Sequence, residues 1–132
     1  MKVFYGAAIQ GAEKRKKRAY IHKTIIDTIK KQGFEVFTEH TTGTTYQEAI
    51  EKLEKSIGKM PKDNLKRRNF VRNKMIEAIE SNIAAAIFEV STSSLGTGIE
   101  IAHAYLRSRM GIKKFPFLYY MKKITGQINY QQ

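Results

Sequence analysis

The stretch IAAAIFEVSTSSLGTGIEIAHAYL, residues 83–106, decides the fold. Residues 83–90 form a short apolar run, the pattern of a strand buried on both faces. Residues 91–98 are Ser, Thr and Gly around a single Leu and read as a loop. Residues 99–106 return to helical spacing. Strand, small-residue loop and helix in that order make half of a βαβ unit. Open α/β sheets bind ligands at the carboxyl ends of their strands, where this loop would lie. Its N–H groups and hydroxyls, facing the start of a helix, suit an anion such as phosphate. Glu100 is expected in the first helical turn beside the loop. Two readings stand there: a carboxylate with chemistry to perform, or a partner of the helix dipole worth roughly 0.3–1 kcal/mol.

Upstream, residues 2–8 (KVFYGAA) read as a first strand, and Gly6 permits close approach of a backbone or ligand. Residues 11–17 are a basic connection. Ile21, Ile25 and Ile29 then share one face of a helix that Gly33 ends. Residues 34–38 (FEVFT) read as a second strand, placing Glu39 and His40 at its carboxyl end. After a Thr/Gly loop at 41–45, Ile50, Leu53 and Ile57 predict a helix over 46–56, either a cover over the site or a surface insertion. Gly58 and Pro61 break it. Asp63 or Asn64 can cap a further helix whose buried face is Val71, Met75 and Ile79.

Downstream, Gly111 ends an element and residues 115–121 (FPFLYYM) read as another strand, with Pro116 near its start. The tail is short. The predicted fold is α/β: one flavodoxin-like, doubly wound domain over 1–132 with a mostly parallel sheet of about four to five strands.

Composition narrows the function classes. At 132 residues and 42% hydrophobic content the chain can build a single core. With no cysteine, neither a disulfide framework nor a zinc–thiolate site is available. The three His residues lack ligand spacing, so no metal or other cofactor is expected. No apolar run approaches the roughly 20 residues of a membrane span. The chain opens directly on a strand without a signal-peptide pattern, so a cytoplasmic protein is expected. The net charge of +12 favours anionic partners. The basic residues, however, are spread along helices and are not interleaved with aromatics as in an RNA-binding module, so nucleic acid is not the expected partner.

Four stretches resemble the nucleoside 2-deoxyribosyltransferase family, and within it the 2′-deoxynucleoside 5′-monophosphate N-hydrolase branch most. They are FYGAAIQG (4–11), VFTEH (36–40), EVSTSSLGTGIEIAHA (89–104) and KKITGQI (122–128). The third is the most specific, a Ser-Leu-Gly-x-Gly-x-Glu signature, and the others follow in family order. The resemblance implies that Glu100 attacks the anomeric carbon of a nucleoside or nucleoside 5′-monophosphate. A glycosyl-enzyme ester then passes to water or to a second base. It also implies phosphate contacts from Ser94 and from Thr125 of a neighbouring subunit, with Gly96 and Gly98 exposing N–H groups, and hence a homodimer. Phe4, Gly6, Ala8, Gln10, Glu39 and His40 fall at positions expected to line the substrate.

The chain departs from the family pattern in three places. Phe4 stands where a site Tyr is usual. Ala8-Ile9-Gln10 replaces Ser-Ile-Arg, losing a hydroxyl and a cation for which Lys14 or Arg15 are substitutes. A helper Asp on the helix before the central strand becomes Asn73, or Lys74 in an alignment one residue different, with Glu77 and Glu80 nearby. Three readings follow: an N-glycosidase of nucleoside 5′-monophosphates, a transferase exchanging bases, and a nucleotide-binding module that has lost catalysis.

Overall fold

The computed structural model describes residues 1–8, 15–92, 94–111, 117–122 and 128–131, and for 108, 110 and the two last strands its backbone. The elements run β1 (Lys2–Ala7), α1 (Arg15–Lys31), β2 (Glu35–Phe37), α2 (Tyr46–Ile57), α3 (Asn64–Glu80), β3 (Ala85–Glu89), α4 (Leu95–Leu106), β4 (Phe117–Lys122) and β5 (Ile128–Gln131). Short 3-10 turns follow β2 at His40–Thr42 and α4 at Arg107–Met110. The sheet order is β2-β1-β3-β4-β5. β1 pairs in parallel with both β2 and β3, and β3 with β4, while β5 returns antiparallel to β4. This is the flavodoxin-like α/β arrangement expected. The order reverses between β1 and β3, which sets the topological switch point beside their carboxyl ends.

β1 and β3 are apolar on both sides because each side carries a layer. Val3, Tyr5 and Ala7 pack with Ile26 and Ile29 of α1. Phe4, Ala86 and Phe88 pack on the opposite side with Met75 and Ile79 of α3 and Ala104 of α4. Phe4 stacks on Phe37, with centroids 6.1 Å apart, and tilts against Phe88 at 5.8 Å. Leu53, Ile57 and Met60 join the same cluster. The segment around α2 is therefore a wall of the core, not a cover or an insertion.

Three boundaries differ from expectation. The buried face of α1 is Ala19, His22, Ile26 and Ile29, which puts Ile21 and Ile25 on its margins. β5 arises from the tail, where the four residues INYQ carried too little pattern to read. α4 starts at Leu95, well before Ile99. Glycine in a helix costs about 1 kcal/mol relative to alanine, so Gly96 and Gly98 read as loop. Ser94 offsets that cost: its hydroxyl accepts the Thr97 N–H at 3.3 Å as an N-cap. Glu100 consequently lies in the second turn, beyond the first, where the dipole acts most strongly.

α3 and α4 lie side by side, and polar contacts tie their seam. His103 Nε2 meets Glu80 Oε1 at 2.9 Å, and Arg107 Nη1 donates to the Ile79 carbonyl at 2.6 Å. From Arg72 with Glu100 to Glu80 with His103 the contacts advance in the same sense along both helices, so the two run parallel. That registry brings the middle of α3 against the start of α4.

Candidate active site

Gly6 opens the site. It sits one residue before the end of β1 and pairs with Phe88 of β3. A Cβ built on Gly6 would lie 2.7 Å from the Phe88 ring and 3.1 Å from Glu100 Oε2. Only a residue without a side chain leaves the Glu100 carboxylate room to lie over the strand ends. Glu100 is 9% exposed. Thus the close approach expected at Gly6 is the approach of Glu100 itself.

The other oxygen is held from α3. Arg72 Nη1 donates to Glu100 Oε1 at 3.1 Å and to the Gly96 carbonyl at 3.2 Å. Gly96 makes room for this guanidinium, because a Cβ there would lie 2.8 Å from Arg72 Nη2. Two effects oppose each other on the carboxyl. Burial raises its pKa; the Arg72 charge and hydrogen bond lower it. Burial prevails, and Glu100 is pushed up to about 7. Near neutral pH the group is therefore poised between acid and carboxylate, a property that clusters at functional sites.

The loop after β3 is anchored from the α1 side. Glu89 Oε2 accepts from Arg18 Nη2 at 3.1 Å, and its Oε1 accepts the Ser91 N–H at 2.8 Å. Glu89 is 3% exposed, so this pair is buried on the carboxylate side. Deeper on the same side, the Tyr5 hydroxyl and His22 Nδ1 share a hydrogen bond of 2.7 Å. Burial lowers the His22 pKa to about 4 and does the same for His40, so both rings are neutral at physiological pH.

No family model, curated protein or solved structure matches the chain.

The expected site residues separate into groups. Gly6, Gly96 and Glu100 converge, and Ser94 stands beside them as the α4 cap, its hydroxyl 3.6 Å from a Cβ built at Gly96. Ala8 is buried just past the end of β1, and Gly98 faces open space. Phe4 is 0% exposed, so it floors the site as core and has no surface for a substrate. His40 is likewise enclosed, with Nδ1 3.1 Å from Thr38 Oγ1. Glu39 turns outward to Lys30 at 3.1 Å. Asn73 is exposed on α3, and the side chain that this helix turns to Glu100 is its neighbour Arg72. Lys74 pairs with Glu77 and Glu80 with His103, so neither carboxylate is directed at Glu100. Arg15 lies over the Tyr46 ring, 5.9 Å from its centroid. Gln10, Lys14 and Thr125 lie outside the described residues.

Sequence reasoning missed Arg72, Glu89 and Arg18. Glu89 was visible as a charge inside an apolar strand; Arg72 was one of several basic residues on α3 and carried no mark of its own. Among the described residues no group of three or more His, Cys, Asp or Glu is placed to hold a metal, and no helix is long and apolar enough to cross a membrane. A cleft of about 310 Å³ lies elsewhere, lined by Lys2, Ile57, Lys74 and Ile83 among others. It flanks the start of β1, away from the switch point, and brings together no comparable chemistry.

Proposed function

We propose that this protein cleaves the N-glycosidic bond of a nucleoside 5′-monophosphate, with 2′-deoxyribose as the sugar, through a glutamyl-sugar intermediate. One observation carries the reading. Glu100 is a buried carboxyl at the switch point, with one oxygen tied to Arg72 and the other facing the cleared position over Gly6.

In the first step Glu100 Oε2 forms a bond to C1′ as the C1′–N bond breaks. The bonding electron pair leaves with the base, which takes a proton from solvent. In the second step water attacks C1′, the ester C–O bond breaks, Glu100 regains its charge, and the proton lost by the water passes to solvent. Splitting one displacement into two is the logic of carboxylate nucleophiles in retaining glycosidases. The start of α4 faces the same place. The Leu95 and Gly96 N–H groups of its first turn have no intrahelical partner, and the Ser94 hydroxyl that caps Thr97 stands beside them, a setting that favours a phosphate. The homodimer belongs to this reading. Leu95, Ile99, Tyr105 and Leu106 on α4 are exposed, and a second copy is the partner that would cover them.

The test is base release from a panel of ribo- and deoxynucleosides and their 5′-monophosphates, with and without a second free base, for the natural protein and Glu100→Gln. Release from deoxynucleotides alone, absent in the variant, is the expected result. Exchange that requires the added base would make the protein a transferase. Nucleotide binding without any release would make it a binding module, the reading that Phe4 and the exposed Asn73 favour.

A further inference from the structure

We infer that Arg72 is the positioning residue of this site: it fixes the Glu100 carboxylate through Oε1 and leaves Oε2 as the reacting oxygen. This rests on the glycosidic reading of Glu100.

Three observations converge on Arg72. Its Nη1 bridges Glu100 Oε1 and the Gly96 carbonyl, two acceptors on α4 four residues apart. The guanidinium is therefore fixed to the same helix that carries the nucleophile, and the carboxylate plane cannot rotate without losing a bond. Next, Gly96 is small where Arg72 needs space, since a Cβ there would lie 2.8 Å from Nη2. Finally, the α3–α4 seam is already held by Glu80 with His103 and by Arg107 with the Ile79 carbonyl. A purely structural tie at Arg72 would duplicate what those contacts supply.

Among the described residues, the charged surroundings of Glu100 are simple. From α3 it meets Arg72; from β1 and β3 it meets Gly6 and Phe88, which carry no charge. On its own helix His103 is engaged by Glu80. Burial favours the protonated acid, which is a poor nucleophile, and Arg72 is the group that opposes this. The same charge assists the second step. When the ester C–O bond breaks, its electrons return to a carboxylate that already has a cation in place.

The experiment compares the natural protein with Arg72→Met and Arg72→Lys. Base release from deoxynucleoside 5′-monophosphates is measured as kcat and KM across pH, and the Glu100 carboxyl is titrated by carbon-13 NMR, assigned against Glu100→Gln. In Arg72→Met the acid limb of kcat/KM is expected to move up by about one pH unit, a roughly tenfold loss at about pH 6. The loss falls mainly on kcat, KM changes little, and Arg72→Lys lies between. A raised KM with unchanged kcat and an unmoved limb would overturn the inference and make Arg72 a substrate-binding cation. If the natural protein releases no base, the glycosidic reading fails by itself, and the NMR titration then decides Arg72. An upward shift of Glu100 in Arg72→Met supports the positioning role, and an unchanged titration overturns it. If the methionine variant does not fold, Arg72→Lys and Arg72→Gln carry the same readouts.

Discussion

Gly6 and Glu100 occupy complementary space: a methyl group on Gly6 would sit 3.1 Å from the Glu100 Oε2 and 2.7 Å from the Phe88 ring. Gly6→Ala should therefore act in two ways. Glycine in a strand is ordinarily a weakness, so alanine would help stability if space allowed. Here the aromatic ring is held between Phe4 and the α3–α4 layer and has little freedom to retreat. Overpacking of this kind costs roughly 1–3 kcal/mol. Urea unfolding should show a loss of that order, and base release should fall further than stability alone explains, because the carboxylate is displaced as well. An alanine variant with natural stability and natural turnover would show that the strand end yields freely.

The fold was legible because each buried strand is an apolar run and α1, α2 and α3 each bury an apolar face, whereas α4 buries Thr97 and Glu100 and leaves Leu95 and Ile99 exposed. The site was legible only in part. Gly6, Ser94, Gly96 and Glu100 lie on two adjacent elements, and small residues next to a carboxylate mark themselves in a sequence. Arg72 does not. It is one cation among Lys66, Arg67, Arg68 and Lys74 on a helix rich in basic residues, and its direction toward Glu100 depends on the parallel registry of α3 and α4. Asn73 was one residue away, but on a helix one position turns a side chain by about 100°, enough to face it to solvent. Phe4 and His40 were misplaced for a related reason. Nearness to a strand's carboxyl end does not say whether a side chain points up into the crevice or down into the core.

The pH dependence of stability should carry three opposing groups. Glu100 titrates near 7 in the folded chain against an ordinary 4.5. Between those values the folded chain holds a proton the unfolded chain has released, so the Glu100 contribution falls as pH rises through the window. His22 and His40 behave oppositely: their folded values are about 4 against an ordinary 6.5. There the unfolded chain binds the extra protons, and stability is lost as pH falls from 6.5 toward 4. With two protons against one, these groups give the natural protein a rise of about 1.4 kcal/mol per pH unit in the overlap, and Glu100→Gln one of about 2.7. Urea unfolding at several pH values from about 5 to 6.5 measures both slopes. Equal slopes would mean that Glu100 titrates as an ordinary carboxylate.

Glu89 should prove to be the anchor of the loop that leads into α4. It is buried, with one oxygen on Arg18 and the other on the Ser91 N–H. Glu89→Gln keeps an acceptor for the amide and loses the ion pair; Glu89→Ala loses both and leaves Arg18 without this partner. Removing one member of a buried pair costs about 3–5 kcal/mol. Arg18 retains partial exposure, 18% of its side chain, so the alanine loss belongs at the lower end or below. The order expected in thermal unfolding is natural, then Gln, then Ala. A glutamine variant as unstable as alanine would assign the whole effect to the charge and none to the loop contact.

The stereochemistry of the product separates a glutamyl ester from direct attack by water. Among the described residues, the group that contacts Glu100 is a cation, not a second carboxylate, so Glu100 is the carboxylate placed either to attack C1′ or to activate water. With Glu100 as the nucleophile, C1′ undergoes two inversions, one at attack and one at release. Water gives a sugar that loses its configuration by ring opening, but methanol traps it. With methanol as a competing acceptor, a β-deoxynucleotide should yield the β-methyl glycoside 5-phosphate, read by proton NMR before and after chromatographic separation. The α-methyl glycoside would mean a single displacement, with Glu100 acting as a base toward the incoming alcohol. In that case the distance between Oε2 and Gly6 would mark a pocket for the acceptor and not the line of attack.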